Sequence, residues 1–309
     1  MAIVRSMLLA ASQNTWMRER ASKYGFVLKT VSRFIPGENL EDALAAAHAL
    51  ANKKIGSVVT KLGENVKDAA EAAQATAHYL HALQRIHEQN LETEISVKLT
   101  QMGLDLSKED CFQNLKKIIE SERRDRIVWV DMESSPYVDA TLDLYRRALA
   151  AFPNVGICLQ AYLYRTKDDL TALLPLRPSV RLVKGAYKEP TNVAFPQKRD
   201  VDENYFSLAQ TMLKAQSAGQ MVRATFGTHD VSLIRRLAAF AAQEGMAKSE
   251  LEVQMLYGIQ RAEQERLAAN GHRSLVLIVY GNYWYSWFVR RLAEHPANLW
   301  FMARNLFAK

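Results

Sequence analysis

Several features that mark other protein classes are missing from this 309-residue chain. Its two cysteines, Cys111 and Cys158, are too few for a disulfide framework, which favours a reducing cytoplasm. No apolar run reaches the roughly 18 residues of a transmembrane helix. The apolar stretch at the amino terminus is interrupted by Arg5, whereas a secretory signal needs an unbroken core of about 7–15 apolar residues. We therefore expect neither a membrane span nor a secretory leader.

Short motifs for phosphate, dinucleotide or metal binding are missing as well. The patterns G-x-G-x-x-G and G-x-x-x-x-G-K-[ST] do not occur, so any dinucleotide is not held by a Rossmann turn. Among the seven histidines, only His229 follows a predicted strand. A metal site needs several converging ligands, and none accompany it, so no metal is expected. Ser-His-Asp and Cys-His nucleophile patterns have no local support either.

The composition is that of a globular protein with a basic surface. Hydrophobic residues make up 49% and charged residues 24% of the chain. Lysine and arginine number 40 against 33 acidic residues, a formal net charge of +7. Such a charge could attract nucleic acid, an anionic membrane or an acidic ligand. Because the excess is spread along the chain, we interpret it as a solvated basic surface and expect no nucleic-acid partner.

Eight short apolar or β-branched runs, each followed by a helical pattern, dominate the chain after residue 50. Near-continuous apolar runs are typical of parallel strands that are buried on both faces. Eight strand–helix units predict an α/β fold, a (β/α)₈ barrel, although a doubly wound sheet shares the alternation. We predict a helical segment over residues 1–50 and the barrel over 51–309. The predicted strands are 55–60, 95–99, 127–131, 155–160, 180–184, 222–226, 251–255 and 275–280. The predicted helices are 69–85, 111–121, 140–151, 167–174, 203–218, 233–243, 259–270 and 283–295.

Polar side chains gather where the predicted strands end. Active sites of (β/α)₈ barrels lie at the carboxyl ends of the strands, so these residues are the candidates for chemistry. They are Lys98, Thr100, Asp131, Glu133, Gln160, Tyr162, Lys184, Gly185, Ala186, Tyr187, Thr228, His229, Asp230, Gln254 and Tyr280.

Charged residues within buried runs need a partner or a ligand. Lys98 could pair with Asp131 on the next strand, either as a structural ion pair or with one member touching a charged substrate. Arg181 and Lys184 could bind a large anionic ligand, for which Gly185 and Ala186 leave room. Pairing of both cations with nearby carboxylates is the alternative.

An arginine pair on the last predicted helix is the third candidate feature. Arg290 and Arg291 point about 100° apart on a helix, so both can contact one carboxylate. Glu294 follows them at helical spacing and could hold either arginine in place. The flanking aromatic residues oppose a fully exposed position, and a solvated basic face is the alternative.

At these residues the sequence resembles the proline dehydrogenase family in its short, monofunctional bacterial form. The matching pieces occur in order between residues 96 and 298 and are specific together, although each alone is weak. They are SVKL (96–99), VDME (130–133), RLVKGAY (181–187), THD (228–230), EVQMLYG (252–258), RRLAE (290–294) and PAN (296–298).

The resemblance implies a distorted barrel that holds FAD at its strand ends, with extra helices at the amino terminus. It implies oxidation of L-proline to 1-pyrroline-5-carboxylate, with electrons passed to a quinone. By matching position, Lys98, Arg290 and Arg291 would bind the substrate carboxylate, and Asp131 and Arg181 would be the catalytic residues. Asp131 would pair with Lys98, and Arg181 would tune the flavin. The residues implied in FAD binding are Met132, Gln160, Arg181, Lys184, Gly185, Ala186, Thr228, His229 and Gln254.

One position departs from the family pattern. Many members have a tyrosine on the eighth strand, thirteen residues before the first arginine of the pair, where this chain has Leu277. Tyr280 lies three positions later, and an odd offset puts it on the other face of the strand. A pocket of altered shape leaves proline, a substituted proline or another cyclic amino acid as the substrate.

Other readings of the same residues remain open. A Schiff-base lyase would use Lys98 or Lys184 as its nucleophile, and a basic binding module would need no catalytic residues. Because a quinone resides in the bilayer, the protein could touch the inner membrane peripherally through basic residues near its amino terminus. Those residues are Arg5, Arg18, Arg20, Lys23 and Lys29. The chain length suggests that a separate aldehyde dehydrogenase takes the product onward.

Overall fold

A closed barrel of eight parallel strands forms the centre of the computed structural model, which describes residues 31–285. The strands pair in chain order, and β8 returns to pair with β1. The predicted (β/α)₈ barrel is therefore confirmed, and each strand lies within two residues of its predicted range. The strands are β1 Gly56–Lys61, β2 Thr93–Val97, β3 Val128–Val130, β4 Val155–Gln160, β5 Ser179–Val183, β6 Arg223–Gly227, β7 Glu252–Leu256 and β8 Arg273–Tyr280.

Helices follow the strands as the periodicity predicts, and most begin a few residues earlier than expected. Asp68, Ser107 and Asp230 each accept a main-chain N–H at the start of the helix that follows them. The caps Ser107 and Asp230 explain two of the earlier starts, and Asp68 caps a helix that starts at the predicted residue 69. The helices are α1 Leu40–Ala51, α2 Ala69–Glu88, α3 Lys108–Ser121, α4 Val138–Ala151, α5 Thr166–Leu173, α6 Lys198–Ser217, α7 Val231–Gln243 and α8 Arg261–Ala269.

Helix α1 covers the seam at which the barrel closes. It packs against β1 and β8 through buried residues that include Leu40, Ala43 and Leu44. The main-chain N–H of Asn39 is bound by the Asp42 carboxylate at 3.2 Å, which defines the helix start. The division into a segment 1–50 and a barrel 51–309 stays a prediction.

Alternation along each strand sends one side chain into the barrel and the next toward the helices. In β1, Val58 lies in an interior cluster with Trp129 and Leu275, whereas Val59 packs in the core between strands and helices. Both are fully buried. This burial on both faces explains why the strand sequences are continuous apolar runs rather than alternating ones.

The amino-terminal half of the barrel interior contains an ion cluster rather than apolar residues alone. Arg223 binds Glu252 through two hydrogen bonds of 2.8 Å and Glu94 at 2.5 Å. The Trp129 indole N–H donates to Glu94 at 2.8 Å. Because these carboxylates are buried, the guanidinium and indole donors replace the water that they lose on folding.

None of the helices within residues 31–285 is both long and apolar enough to cross a membrane. The basic residues named for peripheral membrane contact lie in the first 30 residues, outside the described part of the chain. Most of the last predicted helix, over 283–295, also lies outside it.

Candidate active site

Lys98 stands at the carboxyl end of β2, one residue beyond the strand. Its ammonium group donates to the Glu64 carboxylate at 2.6 Å. Glu64 belongs to the segment 62–68 between β1 and α2 and lies over this edge of the barrel. The Lys98 side chain is 16% exposed, so the ion pair lies at the mouth of the barrel, where a ligand can reach it.

The expected ion pair between Lys98 and Asp131 is wrong. Asp131 instead binds the Arg181 guanidinium and accepts a 2.9 Å hydrogen bond from the Ser96 hydroxyl. Arg181 is 3% exposed, so water does not solvate its charge. It therefore pairs with Asp131, the carboxylate that lies at the same height in the barrel interior. Lys98 lies at the partly exposed edge of the barrel and pairs there with Glu64.

Three polar contacts and one aromatic ring fix Arg181. Besides Asp131, its guanidinium donates to the Ser96 hydroxyl at 2.7 Å and to the Gln254 amide oxygen at 3.3 Å. It lies 5.2 Å from the centre of the Trp129 ring. Burial by itself would lower the pKa of Arg181, but the adjacent Asp131 charge raises it overall. The guanidinium is therefore a permanent, oriented positive charge inside the barrel mouth.

Gln160 ends β4 and presents a buried acceptor without a partner among residues 31–285. Its amide nitrogen donates to the main-chain oxygens of Met132 and Glu133, both at 3.1 Å. Its amide oxygen has no hydrogen-bond partner. Because an unsatisfied buried acceptor costs free energy, this oxygen is available to a ligand N–H or O–H donor.

Lys184 follows β5 and has two carboxylate partners. Its ammonium group binds Asp202 at 2.5 Å and Asp230 at 3.0 Å. These two carboxylates also line a cleft of about 290 Å³ beside the first turns of α6 and α7. Three cations and three carboxylates line this cleft, and Lys198 and Arg236 are already paired with carboxylates there. The cleft is lined by Lys198, Arg199, Asp202, Glu203, Asp230, Ser232, Leu233 and Arg236.

Gly185 has a structural reason to be glycine. Its φ of +115° lies in the region that other residues rarely adopt, and a β-carbon would lie 2.4 Å from the Tyr162 ring. The main-chain N–H of Tyr162 donates to the Lys184 oxygen at 2.9 Å, so the ring is fixed against this turn. Ala186 continues the turn as the second small residue, and the turn directs the main chain outward after Lys184.

Residues that end β6 and β7 meet at the opposite side of the mouth. The Thr228 main-chain N–H donates to the Gln254 main-chain oxygen at 3.1 Å. The Leu256 main-chain N–H donates to His229 Nε2 at 2.9 Å, so this nitrogen carries no proton. Thr228 and Gln254 are nearly fully buried. The structure thus brings Thr228, His229 and Gln254 together, as the sequence predicts.

Leu277 and Tyr280 lie on opposite faces of β8. Leu277 is half-buried and packs against the interior cluster of Val58, Trp129 and Leu275. The Tyr280 hydroxyl points outward to His78 Nε2 of α2 at 2.7 Å. The prediction that Tyr280 lies on the other strand face is confirmed, so its ring cannot replace a tyrosine at position 277.

Three site residues were given no role by sequence reasoning. Glu64 follows β1, and applying the rule of strand ends to the first strand would have included it. Ser96 precedes Lys98 by two residues and therefore shares its strand face. Glu133 was noted at the end of β3 but assigned no function. Arg290 and Arg291 lie outside the described residues.

The mouth of the barrel can therefore hold an anionic, polar ligand. Lys98 is a cation that already binds a carboxylate, Arg181 is a buried positive charge, and Gln160 offers an unused acceptor. No three histidine, cysteine, aspartate or glutamate side chains of residues 31–285 converge as metal ligands would. Small-molecule binding with electrostatic stabilisation is the chemistry that this geometry supports.

Comparisons with known proteins agree on one family. The profile described as proline dehydrogenase matches residues 43–304. Proline dehydrogenase 1 of Bacillus subtilis subsp. natto is 36% identical over 308 residues, which cover 99% of this chain and 100% of that protein. Proline dehydrogenase of Deinococcus radiodurans is also 36% identical, over 89% of each chain.

A solved structure shares the fold. Proline utilization A (PutA) from Bdellovibrio bacteriovorus superposes with a TM-score of 0.80 at 23% identity. The match covers 91% of this chain and 34% of that one, so this chain spans about a third of the length of that protein. The likeness agrees with the closed (β/α)₈ barrel.

Proposed function

The chain belongs to the proline dehydrogenase family and is an oxidoreductase acting on a CH–NH group, and from this premise we propose that it oxidises L-proline to 1-pyrroline-5-carboxylate with FAD. Proline loses two electrons and two protons in this reaction, and a bound flavin would supply the two-electron acceptor. The observation that carries the proposal is the placement of a carboxylate-binding cation, Lys98, at the same barrel mouth as the buried Arg181 and Gln160.

FAD fits the polar groups at this mouth. Its isoalloxazine ring offers an N–H that the partnerless amide oxygen of Gln160 can accept. Its pyrophosphate needs cations and helix amino ends; Lys184 lies beside the amino ends of α6 and α7, and a pyrophosphate there would compete for it with Asp202 and Asp230. We propose that the flavin is bound by Met132, Gln160, Arg181, Lys184, Gly185, Ala186, Thr228, His229 and Gln254. Bound flavin supplies the electron acceptor for the reaction.

The protein's own residues position the substrate and stabilise charge. We propose that Lys98, with Arg290 and Arg291, binds the proline carboxylate and so orients the ring. Lys98 already binds the Glu64 carboxylate. The substrate carboxylate must therefore share Lys98 with Glu64 or displace Glu64 from it. Arg181, held by Asp131, would present a fixed positive charge to a flavin bound at this mouth.

A visible absorption spectrum, taken before and after anaerobic L-proline, tests this function. We expect a flavin spectrum that bleaches on proline addition. The non-substrate control is D-proline, which presents the same groups in the mirror arrangement. A colourless protein that FAD does not reconstitute would refute the cofactor, and a flavin that proline leaves oxidised would refute the substrate.

A second candidate substrate is a ring-substituted proline or another cyclic amino acid. The observation that favours it is Leu277, whose half-buried side chain faces the barrel interior in place of the family tyrosine. A branched aliphatic chain is shorter than a tyrosine and leaves space beside the substrate ring. The same anaerobic assay, run with a panel of substituted prolines on the native protein and on Leu277→Tyr, distinguishes the two. Preference for a substituted ring that is lost in Leu277→Tyr would support this candidate.

The ion pairs oppose the Schiff-base alternative. A nucleophilic lysine needs a free amine, but the Lys98 nitrogen donates to Glu64 at 2.6 Å and the Lys184 nitrogen donates to Asp202 at 2.5 Å. Both nitrogens are therefore engaged by carboxylates and are not placed to attack a carbonyl group. Borohydride in the presence of substrate should therefore trap no adduct on either lysine.

We also propose a quinone as the electron acceptor and a separate aldehyde dehydrogenase as the consumer of the hydrolysed product. A short-chain quinone should reoxidise the proline-reduced flavin faster than dioxygen does. For peripheral membrane contact, sedimentation with anionic and with neutral vesicles is the test. Equal recovery with both vesicle types would contradict a role for the basic residues of the amino terminus.

A further inference from the structure

A buried carboxylate that the proposed chemistry does not use lies near Lys98, the residue proposed to bind the substrate carboxylate. Glu133 follows β3 and is 3% exposed. Burial raises the pKa of Glu133, while hydrogen bonds from Thr100 and the charge of Lys98 act in the opposite direction. It forms no ion pair with any residue in the described range. Because a buried carboxylate is costly where an uncharged residue would pack, stability alone gives no reason for it.

Both carboxylate oxygens of Glu133 accept hydrogen bonds from one residue, Thr100. Oε1 accepts the Thr100 main-chain N–H at 3.0 Å, and Oε2 accepts the Thr100 hydroxyl at 2.6 Å. Thr100 is fully buried and follows Lys98 by two residues. Its backbone therefore cannot shift without breaking a charge-assisted hydrogen bond, and this fixes the point from which the Lys98 side chain extends.

Thr100 passes this constraint to the segment that lies over the barrel mouth. Its hydroxyl oxygen accepts the Asn65 main-chain N–H at 3.2 Å, and its main-chain oxygen accepts the Val66 N–H at 3.4 Å. Asn65 directly follows Glu64, whose carboxylate binds Lys98 at 2.6 Å. The hydroxyl of Thr100 thus joins Glu133 below it to the Glu64-bearing segment above it.

The main chain of Glu133 extends the network toward the proposed flavin position. Its carbonyl oxygen accepts a hydrogen bond from the Gln160 amide nitrogen at 3.1 Å. The Met132 oxygen shares that nitrogen at 3.1 Å. The link to Gln160 uses only main-chain atoms of Glu133, so a side-chain substitution can alter the Lys98 end and spare the Gln160 end.

We infer that Glu133 is a positioning residue for substrate binding: through Thr100, its carboxylate holds Lys98 and the Glu64-bearing segment 62–68 in the geometry that receives the substrate carboxylate. The inference rests on the proposed function and adds a residue to its substrate site. It predicts that breaking the link between Glu133 and Thr100 weakens carboxylate binding without weakening flavin binding.

Removing the Thr100 hydroxyl tests the link with little change in volume. The variants are Thr100→Val, Thr100→Ser, which keeps the hydroxyl, and Glu133→Ala. The matched control is Thr141→Val on α4, where a fully buried hydroxyl has no hydrogen-bond partner among residues 31–285. The probe is cyclopentanecarboxylate, which has a five-membered ring and a carboxylate as proline does, but a CH₂ in place of the amine and so no CH–NH to oxidise. Calorimetry gives its Kd on the full-length, flavin-loaded protein, and hydrogen exchange reports on the Asn65 amide.

In Thr100→Val we expect the Kd to rise at least tenfold and the Asn65 amide to exchange at least tenfold faster. Glu133→Ala should do the same if it folds, whereas Thr100→Ser and Thr141→Val should stay within threefold of the native protein. Flavin affinity should stay within threefold in all variants. Native-like Kd and exchange in Thr100→Val, equal loss in Thr141→Val, or a native protein that does not bind the probe would each overturn the inference. Failure of the proposed function gives a different result: proline does not reduce the flavin of the native protein. The comparison of Kd and of Asn65 exchange among the variants is unaffected by that result.

Discussion

Removing the Asp131 carboxylate should destabilise the barrel strongly, because it leaves the Arg181 charge buried without its partner. Arg181 is 3% exposed and Asp131 is 18% exposed at the side chain. Breaking a buried ion pair from one side typically costs about 3–5 kcal/mol, since the remaining charge stays desolvated. Ser96 and Gln254 still contact the guanidinium, but both are neutral.

This loss corresponds to a measurable shift in melting temperature. An unfolding entropy of about 2.1 cal/mol/K per residue over 309 residues gives about 0.65 kcal/mol/K. Asp131→Ala should therefore lower Tm by about 5–8 °C. Circular dichroism on protein stripped of flavin measures the shift without a contribution from ligand binding.

A surface pair provides the matched control. Asp143 binds Lys108 at 2.8 Å with both side chains more than half exposed, so Asp143→Ala should lower Tm by no more than about 1–2 °C. The double variant Asp131→Ala with Arg181→Met should regain at least half of the lost stability, because no charge is then left buried. An Asp131→Ala shift no larger than that of Asp143→Ala would refute the reasoning.

Three further predictions follow from other buried contacts. Burial lowers the pKa of His78 to about 4 from 6.5, so stability should fall as the pH drops from about 6.5 to about 4 and His78→Gln should flatten this dependence in urea titrations. Gly185→Ala, with φ +115° and the Tyr162 ring 2.4 Å from the new carbon, should cost about 1–3 kcal/mol in the same assay; an unchanged midpoint would contradict this. Glu252→Ala removes one of the two carboxylates that bind Arg223 and leaves Glu94 to neutralise it, so it should cost about 1.5–3 kcal/mol, the loss of hydrogen bonds to a charged group; a loss below about 0.5 kcal/mol would contradict this.

The sequence predicts the barrel well because the signals for it are local. Runs such as 155–160 are apolar on both faces, and this pattern arises wherever helices cover a parallel sheet. The helix starts were predicted less accurately. Helix α6 begins at Lys198 rather than 203 because its first turn is polar and lines the cleft beside Lys184. An apolar periodicity cannot detect a turn whose side chains are polar and line a cleft.

The sequence identified charged residues that need a partner, but it did not identify their partners correctly. Lys98, Asp131 and Arg181 were recognised as charges that need neutralising, and all three are paired. Sequence reasoning paired Lys98 with Asp131 because their strands are adjacent. The structure joins Asp131 to Arg181, 50 positions along the chain, and Lys98 to Glu64, 34 positions away.

By itself, the sequence determined the number and order of the strands, the residues that end them and the chemical character of the site. Those properties depend on patterns within a few residues of one another. Only the tertiary structure decided which charges meet and that the Tyr280 hydroxyl pairs with His78. Closure of the barrel fixes the height of each interior side chain along the barrel axis. The buried Arg181 guanidinium therefore binds Asp131, the carboxylate at its own height.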